Sequence, residues 1–413
     1  MLPNALRTIT PSKKRRLSIA IIGAGIGGLT TALALLRAGI EVRIYEQAKG
    51  FARVGAGIQQ TPNAIKALRV FGLEGALRRV AFRPLTSLNR ESDTGALTNE
   101  YPLGDEIEHR FGAPHLLLHR GDLHDVLAAA VPSQLILLDH KLAAVEQSRN
   151  DVTLFFTNGA RMQADALIGA DGIHSTVREI MLGPEELRFT GRVAYRTTYP
   201  VSRLGGVKVG DNTKWWGSDR HIVIYYVKPQ REEIYFVTST PEPDFEVESW
   251  SAIGNLETLR KTYAGFHPEV REVIAACPRV HKWALVERDP LRRWTEGRVA
   301  LLGDACHPMM PYMAQGAAMA IEDAAVLSRC FDGIDADGIA GALRRYELTR
   351  LPRTSRIQLI SRQNTWMREK TDPDWVYGYD AWHEPLVSPS INPTPAATRA
   401  GLPLGTPSGG VKR

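Results

Sequence analysis

The sequence predicts an α/β protein: a Rossmann-like dinucleotide-binding domain interleaved with a β-sheet substrate domain and followed by C-terminal helices. Three observations predict it. Residues 17–22 are a short apolar, β-branched run that ends in Gly23-Ala24-Gly25-Ile26-Gly27-Gly28. Far along the chain, Leu301-Leu302-Gly303-Asp304-Ala305-Cys306-His307-Pro308 runs into Ala314-Gln315-Gly316-Ala317, a second strand–loop–helix with an acid at its turn. Between them, residues 193–238 carry the pattern of paired strands. The glycine turn alone suits NAD as readily as FAD. A second such segment suits a longer dinucleotide crossing the domain, so non-covalent FAD is the expected cofactor.

The elements follow in order. Residues 1–16 read as a flexible leader. The run Lys13-Lys14-Arg15-Arg16 before an apolar stretch imitates a secretion signal, but residues 19–22 form a strand ending in the glycine turn, so secretion is rejected. Residues 29–38 have a helical pattern, Gly39 stops it, and residues 41–45 form a second strand ending at Glu46. This is a βαβ opening. Residues 86–89 and 96–101 flank Asp93-Thr94-Gly95 as a hairpin. Residues 116–118 and a helix from Asp122 return to the first domain. Residues 221–227 and 234–238 pair around Lys228-Pro229-Gln230-Arg231-Glu232. Residues 299–302 are a short buried strand, and 316–331 and 342–366 read as helices. The expected division assigns 17–82, 113–188 and 284–370 to the FAD-binding domain with its C-terminal helices. It assigns 83–112 and 189–283 to the substrate-binding sheet, and 371–386 to an aromatic closing segment. The Pro-, Ser- and Gly-rich residues 387–413 read as a disordered tail.

Composition excludes several classes. A chain of 413 residues is too long for one simple core, and 44% hydrophobic with 23% charged residues is ordinary for a globular protein. The net charge is +6, but Lys and Arg are scattered without an RNA-binding signature. Attraction of small anions is the better reading, with no nucleic-acid partner. Cys277, Cys306 and Cys330 are odd in number and lack metal spacing, which points to a reducing cytoplasm rather than a disulfide framework. No apolar run is long enough to span a membrane. His109, His115, His119 and His124 cluster in sequence, yet the segment reads as strand then helix start, so no metal is expected. The sequence is silent on oligomeric state.

The glycines have separate tasks. Gly23 permits the tight turn, Gly25 lets pyrophosphate approach the backbone, and Gly28 lets helix and strand pack closely. The helix start then offers free N–H groups to phosphate. Glu46 stands where an acid bonds a ribose hydroxyl. Together with Ala170-Asp171-Gly172-Ile173-His174-Ser175-Thr176-Val177-Arg178, His119-Arg120-Gly121-Asp122-Leu123 and the segment from Gly303-Asp304 to Ala317, these residues resemble the group A flavoprotein aromatic hydroxylases, single-component FAD monooxygenases. The resemblance spans nearly the whole chain. It implies that Arg120 and Asp304 contact FAD and that Asp171-Gly172 serves both FAD and NAD(P)H. It also carries Gly27, Gln47, Arg53, Leu142, Gly316 and Ala317 into the expected FAD-binding set. NADH or NADPH is implied as a transient co-substrate, with O2 as the other. From the residues themselves, Arg120 offers a planar fork for phosphate. Gln315-Gly316-Ala317 opens a helix whose N-terminus can stabilise negative charge on a reduced flavin.

Lys214-Trp215-Trp216, Asp219-Arg220-His221, Tyr225-Tyr226 and the run from Trp375 to Asp380 resemble more closely the 6-hydroxynicotinate 3-monooxygenase and salicylate hydroxylase branch. Three positions depart from the hydroxynicotinate pattern: Gln59 and Tyr312 stand in place of histidines, and Asn212 in place of a cysteine. Gln59 and Tyr312 look more like salicylate and hydroxybenzoate hydroxylases. The implied activity is hydroxylation of a small hydroxylated aromatic or pyridine carboxylate, with decarboxylation where the carboxylate occupies the attacked carbon. Strand alternation puts His221, Val223, Tyr225 and Val227 on one face. The resemblance favours that face for the substrate pocket. Electrophilic oxygen attacks an electron-rich ring, and a ring hydroxyl is most activating when ionised, so a base or polarising group is needed. Tyr225 and His221 are expected to share that role, Gln59 to orient the substrate, and Asn212, Trp216 and Tyr312 to bind it. Tyr225 as a packing residue, Trp215-Trp216 as core, and His307 as a loop anchor stay open. The rival readings are a flavin dehydrogenase or oxidase that inserts no oxygen, and a flavin-bound interaction module.

Overall fold

The structure, a computed structural model, describes residues 16–53, 56–245, 252–368 and 370–388. The leader expected for 1–16 and the tail expected for 387–413 lie outside these residues but for positions 16, 387 and 388. The strand Ser18–Ile22 is almost wholly buried, as an unbroken apolar run requires of a strand covered on both faces. It sits inside a six-stranded sheet ordered Thr295–Glu296, Val299–Leu301, Ala166–Gly169, Ser18–Ile22, Glu41–Tyr45, Ile136–Leu137. All pairings are parallel except that of the edge strand Thr295–Glu296.

Parallel neighbours need a crossover, and the helix Ile26–Arg37 supplies the first. It starts at Ile26 rather than 29. Glycine is a poor helix former, but here packing overrides propensity. A Cβ on Gly28 would stand 1.9 Å from the Gly23 carbonyl oxygen, and one on Gly27 would stand 3.0 Å from Leu302 Cδ2. The first helical turn is therefore pressed against the glycine turn and the late Leu302 segment. The helix Gly316–Cys330 packs on Ile26–Arg37 and is buried along nearly all its length. The two distant motifs meet through this helix pair.

A second, seven-stranded sheet is ordered His281–Glu287, Arg188–Pro200, Glu233–Pro241, His221–Tyr226, Asn212–Trp216, Thr86–Glu91, Leu97–Pro102. The hairpin Thr86–Glu91/Leu97–Pro102 joins it through a parallel pairing with Asn212–Trp216. The strand His281–Glu287 crosses the expected boundary between 283 and 284. This sheet has its own core, with Tyr195, Trp215, Ile222 and Phe236 buried against the helices Leu256–Thr262 and Pro268–Ala276. Each such side chain contributes about 1.5–3 kcal/mol on burial.

Some elements were not anticipated. Leu142–Gln147, Val152–Phe156 and Arg161–Ala164 form a three-stranded antiparallel sheet whose outer positions are too polar to announce it. Gly57–Gln60 pairs with Leu116–His119. The last long helix, Ile339–Gln363, starts earlier than expected and accommodates Pro352. It ends before 366 because Asn364 caps it with left-handed backbone, φ 53°. All three cysteines are free and buried. Among the described residues, no helix is long and apolar enough to cross a membrane.

Candidate active site

A cleft of about 460 Å³ is lined by both sheets' elements. One half is made by the glycine turn and the late segment, the other by the seven-stranded sheet and the chain after residue 363.

On the first half, two helix N-termini reach the wall: Gly25, Ile26 and Gly27 of one, Gly316 and Ala317 of the other. Neither has a side-chain cap, so their first N–H groups are left for a ligand. Nothing lies within 4 Å of where a Gly25 Cβ would be, which leaves the backbone open to close approach. Arg120 and Asp304 stand on the same wall and feel each other's charge. Both are open to the cleft yet enclosed by protein. Burial lowers the Arg120 pKa, against the pull of Asp304. Burial raises that of Asp304, opposed by His307 and Arg120. Orphan N–H groups, an open glycine backbone and a lone guanidinium fit a pyrophosphate and the rest of FAD. Glu46 locks the turn: its carboxylate accepts from Ala24 N and Ala48 N at 2.9 Å each.

The remaining expected cofactor contacts divide. Asp171 is corrected: Ser175 Oγ and Val177 N donate to its carboxylate at 2.5 and 3.1 Å, so it caps the helix Thr176–Leu182. Ala170, Gly172 and Ile173 form the wall instead. Gln47 is exposed, and Arg53 is ion-paired to Asp122 and Asp125 at 2.7 and 2.8 Å. Leu142 is buried in the small antiparallel sheet. None of these three lines the cleft.

A buried polar network holds the late loop. Asn63 Nδ2 donates to Gln315 Oε1 and Glu322 Oε1, and Gln315 Nε2 donates to Thr61 Oγ1. Glu322 and Asp323 share Arg350. His307, left open by sequence, pairs with Asp323 at 2.5 Å and anchors the loop while Pro308 meets the cleft. Cys306, His307 and Asp323 bring their donor atoms within 4.8 Å. Burial pushes the Cys306 thiol well up, and it donates to Gly303 O, while Arg350 already neutralises Asp323. These contacts hold the loop against the helix Gly316–Cys330.

On the second half, alternation works as expected: His221, Val223 and Tyr225 all line the cleft. Tyr225 packs at 4.9 Å on Tyr235, and both crowd Gly57, where a Cβ would fall 2.7 Å from Tyr225 Oη. Burial raises the Tyr225 phenol well above its usual pKa, with Tyr235 adding to the shift and Arg196 opposing it. A phenol so raised stays protonated near neutral pH, the state in which it can donate rather than act as a base. Gln59 Oε1 accepts from His115 Nε2 at 3.1 Å, which leaves the Gln59 amide N–H groups as donors. Burial takes His115 down to about 4. His221 is also neutral, driven down by burial and then by Lys214 and Arg192.

Lys214 Nζ donates to Asn364 Oδ1 at 3.3 Å, so the Asn364 amide nitrogen faces His221 Nδ1, also at 3.3 Å. His221 Nδ1 must then accept, and Nε2 carries the proton. Asn212 lines the cleft and donates to Ser87 Oγ at 3.2 Å; Tyr312 bonds Ser239 Oγ at 2.7 Å. Trp216 is corrected. Its indole N–H is tied to Asn89 Oδ1 at 2.8 Å, and its ring lies behind Lys214, off the wall. Sequence reasoning missed Lys214, Asn364, His115 and Gly57. Lys214 was legible, because it shares a strand face with Asn212; the others depend on contacts between distant segments.

The model of the FAD binding domain family matches residues 16–358. The 6-hydroxynicotinate 3-monooxygenase of Bordetella bronchiseptica is 46% identical, over 89% of this chain and 97% of that one. The 3-hydroxybenzoate 6-hydroxylase of Polaromonas naphthalenivorans is 34% identical, over 84% and 87%. Among solved structures, Klebsiella pneumoniae HpxO complexed with FAD and uric acid superposes with a TM-score of 0.76 at 28% identity, over 87% of this chain and 90% of that one. With uncapped helix ends, Arg120 and Asp304 gathered on one cleft, the chain belongs to the group A flavoprotein monooxygenases: it is an FAD-dependent, aromatic-ring hydroxylating enzyme.

Proposed function

We propose that the enzyme hydroxylates a small hydroxylated pyridine or benzene carboxylate, 6-hydroxynicotinate foremost, with NADH or NADPH as transient co-substrate. Where the carboxylate occupies the attacked carbon, it leaves as CO2. Bound FAD supplies the two-electron chemistry that splits O2 between the ring and water. Glu46, Gln47, Arg53 and Leu142 would hold the adenosine end of FAD.

The observation that carries the reading is the donor-lined wall. Gln59 Nε2, the Tyr225 hydroxyl and the protonated edge of His221 all offer hydrogens, while the accepting nitrogen of His221 is taken by Asn364 and His115 spends its Nε2 proton on Gln59. Such a wall holds a ring oxygen as its anion rather than removing its proton with a dedicated base. The proton passes to solvent, and the anion's negative charge enriches the ring for electrophilic attack. The 46% identity to a hydroxynicotinate enzyme supports the pyridine substrate.

The test is turnover of 6-hydroxynicotinate by the holoenzyme in labelled O2. Substrate-stimulated NADH oxidation with one labelled oxygen in the product is expected. Oxidation without incorporation makes the enzyme an oxidase. Gln59 and Tyr312 favour a second reading, a salicylate or 3-hydroxybenzoate hydroxylase. Tight coupling with either acid, and none with 6-hydroxynicotinate, selects it.

A further inference from the structure

Lys214 projects from the strand Asn212–Trp216 onto the cleft wall. Its ammonium lies 3.8 Å from the Trp216 ring centroid, 5.8 Å from that of Tyr312 and 3.3 Å from Asn364 Oδ1. Among the described residues no carboxylate pairs with it. The charged group that bears on it is a cation, Arg368 beside Trp216, and its neighbours His221 and Tyr312 are kept uncharged by burial; Arg192 acts on both of these, and Glu287 on Tyr312. The cleft's other cations are differently placed. Arg120 answers Asp304, and Arg196 stacks on Trp283 at 3.5 Å. A desolvated cation without a counter-ion is costly. The Trp216 face and the Asn364 amide oxygen each stabilise the ammonium, but both are neutral and leave its charge without a counter-ion.

We propose that Lys214 is the anion anchor of the cleft and takes the carboxylate of the aromatic substrate. This rests on the reading of that substrate as an aromatic acid. Asn364 is the positioning residue. Its left-handed backbone ends the helix Ile339–Gln363, and its side chain points one amide face at Lys214 and the other at His221. One side chain thus fixes both the anchor and the imidazole tautomer. The next residues, Trp366 and Met367, close the same wall. Burial, with Arg368 adding to it, brings the Lys214 pKa down to about 7. The anchor is therefore charged below that pH and lost above it, until a bound carboxylate restores the proton.

The experiment titrates the holoenzyme with benzoate and with benzamide, its neutral isostere, reading flavin absorbance. The parent protein should prefer benzoate, and that preference should fall as pH rises through about 7. Lys214→Met should remove the preference by roughly 10–100-fold, with FAD content and benzamide affinity unchanged. Lys214→Arg should restore part of it and move the pH limb upward. Equal losses for both ligands, an unchanged preference in Lys214→Met, or no benzoate binding by the parent overturns the proposal. The substrate reading fails separately. If benzoate binding depends on Lys214 but neither 6-hydroxynicotinate nor 3-hydroxybenzoate is hydroxylated, the anchor stands and that reading falls.

Discussion

The two halves of the cleft are built from different material. The cofactor half is backbone: two uncapped helix starts, an open glycine turn, and a single Arg120–Asp304 pair. The substrate half is side chains on a sheet, each held by a partner from another part of the chain: Gln59 by His115, Tyr225 by the room over Gly57, Lys214 and His221 by Asn364. Backbone sites tolerate few changes, because glycine spacing fixes them. Side-chain sites change by one substitution at a time. In the resemblance read from the sequence, the chain carries the Gly23, Gly25 and Gly28 spacing of the first half and departs from the hydroxynicotinate pattern at 59, 212 and 312 in the second.

Breaking the backbone half should have the largest effect. Gly28→Ala would drive a Cβ to 1.9 Å from the Gly23 carbonyl. We expect no flavin in the purified protein, and a normal FAD content would remove close packing as the reason for that glycine. In the side-chain half, Tyr225→Phe should keep its FAD but lose hydroxylation by about 10²–10³-fold, the scale of one lost oxyanion donor. NADH oxidation should then yield hydrogen peroxide. Parental coupling would make Tyr225 a packing residue. Smaller again is Asp304→Ala, which takes the counter-charge from Arg120. FAD affinity should weaken roughly 10–100-fold, measured by fluorescence of released flavin. If FAD binds the variant as tightly as the parent, Asp304 serves the loop rather than the cofactor.

The difference between the halves also governs what the sequence discloses. The opening βαβ unit was legible because local pattern decides it: the strand Glu41–Tyr45 falls where alternation puts it, and Gly39 does stop the helix. The shared face of His221 and Tyr225 followed from the two-residue period of a strand. Asp171 shows the limit. Its motif is easily found, but the direction of its carboxylate is set by Ser175, which pulls it into a helix cap. Trp216 fails similarly, since its strand face is right but Asn89 on the neighbouring strand claims its indole. Asn364 had no pattern at all. It acts on residues far away in sequence, through a helix end whose position propensity alone does not fix.

The finest test of the comparison is Gln59→His, which returns one position to the hydroxynicotinate pattern while leaving the backbone half untouched. In the parent, Gln59 gives the cleft amide hydrogens, and the neighbouring His115 is held to about 4, so neither changes protonation near neutrality. A histidine at 59 adds a group with an ordinary value of about 6.5. Beside His115 and away from carboxylates, burial would move it down rather than up. Its neutral form is the one able to accept the ring hydroxyl's proton. The rate in the variant should therefore rise with pH through the new histidine's pKa and level off above it. The parent should be flat over the same window. The measurement is kcat at saturating substrate, where a bound carboxylate holds Lys214 charged and its titration does not intrude. Preference for 6-hydroxynicotinate over 3-hydroxybenzoate should rise by about three- to tenfold, since one donor is exchanged for one base. A flat profile in the variant would mean that the anion is selected by the donor wall whatever stands at 59. Substrate choice would then rest with Asn212 and Tyr312.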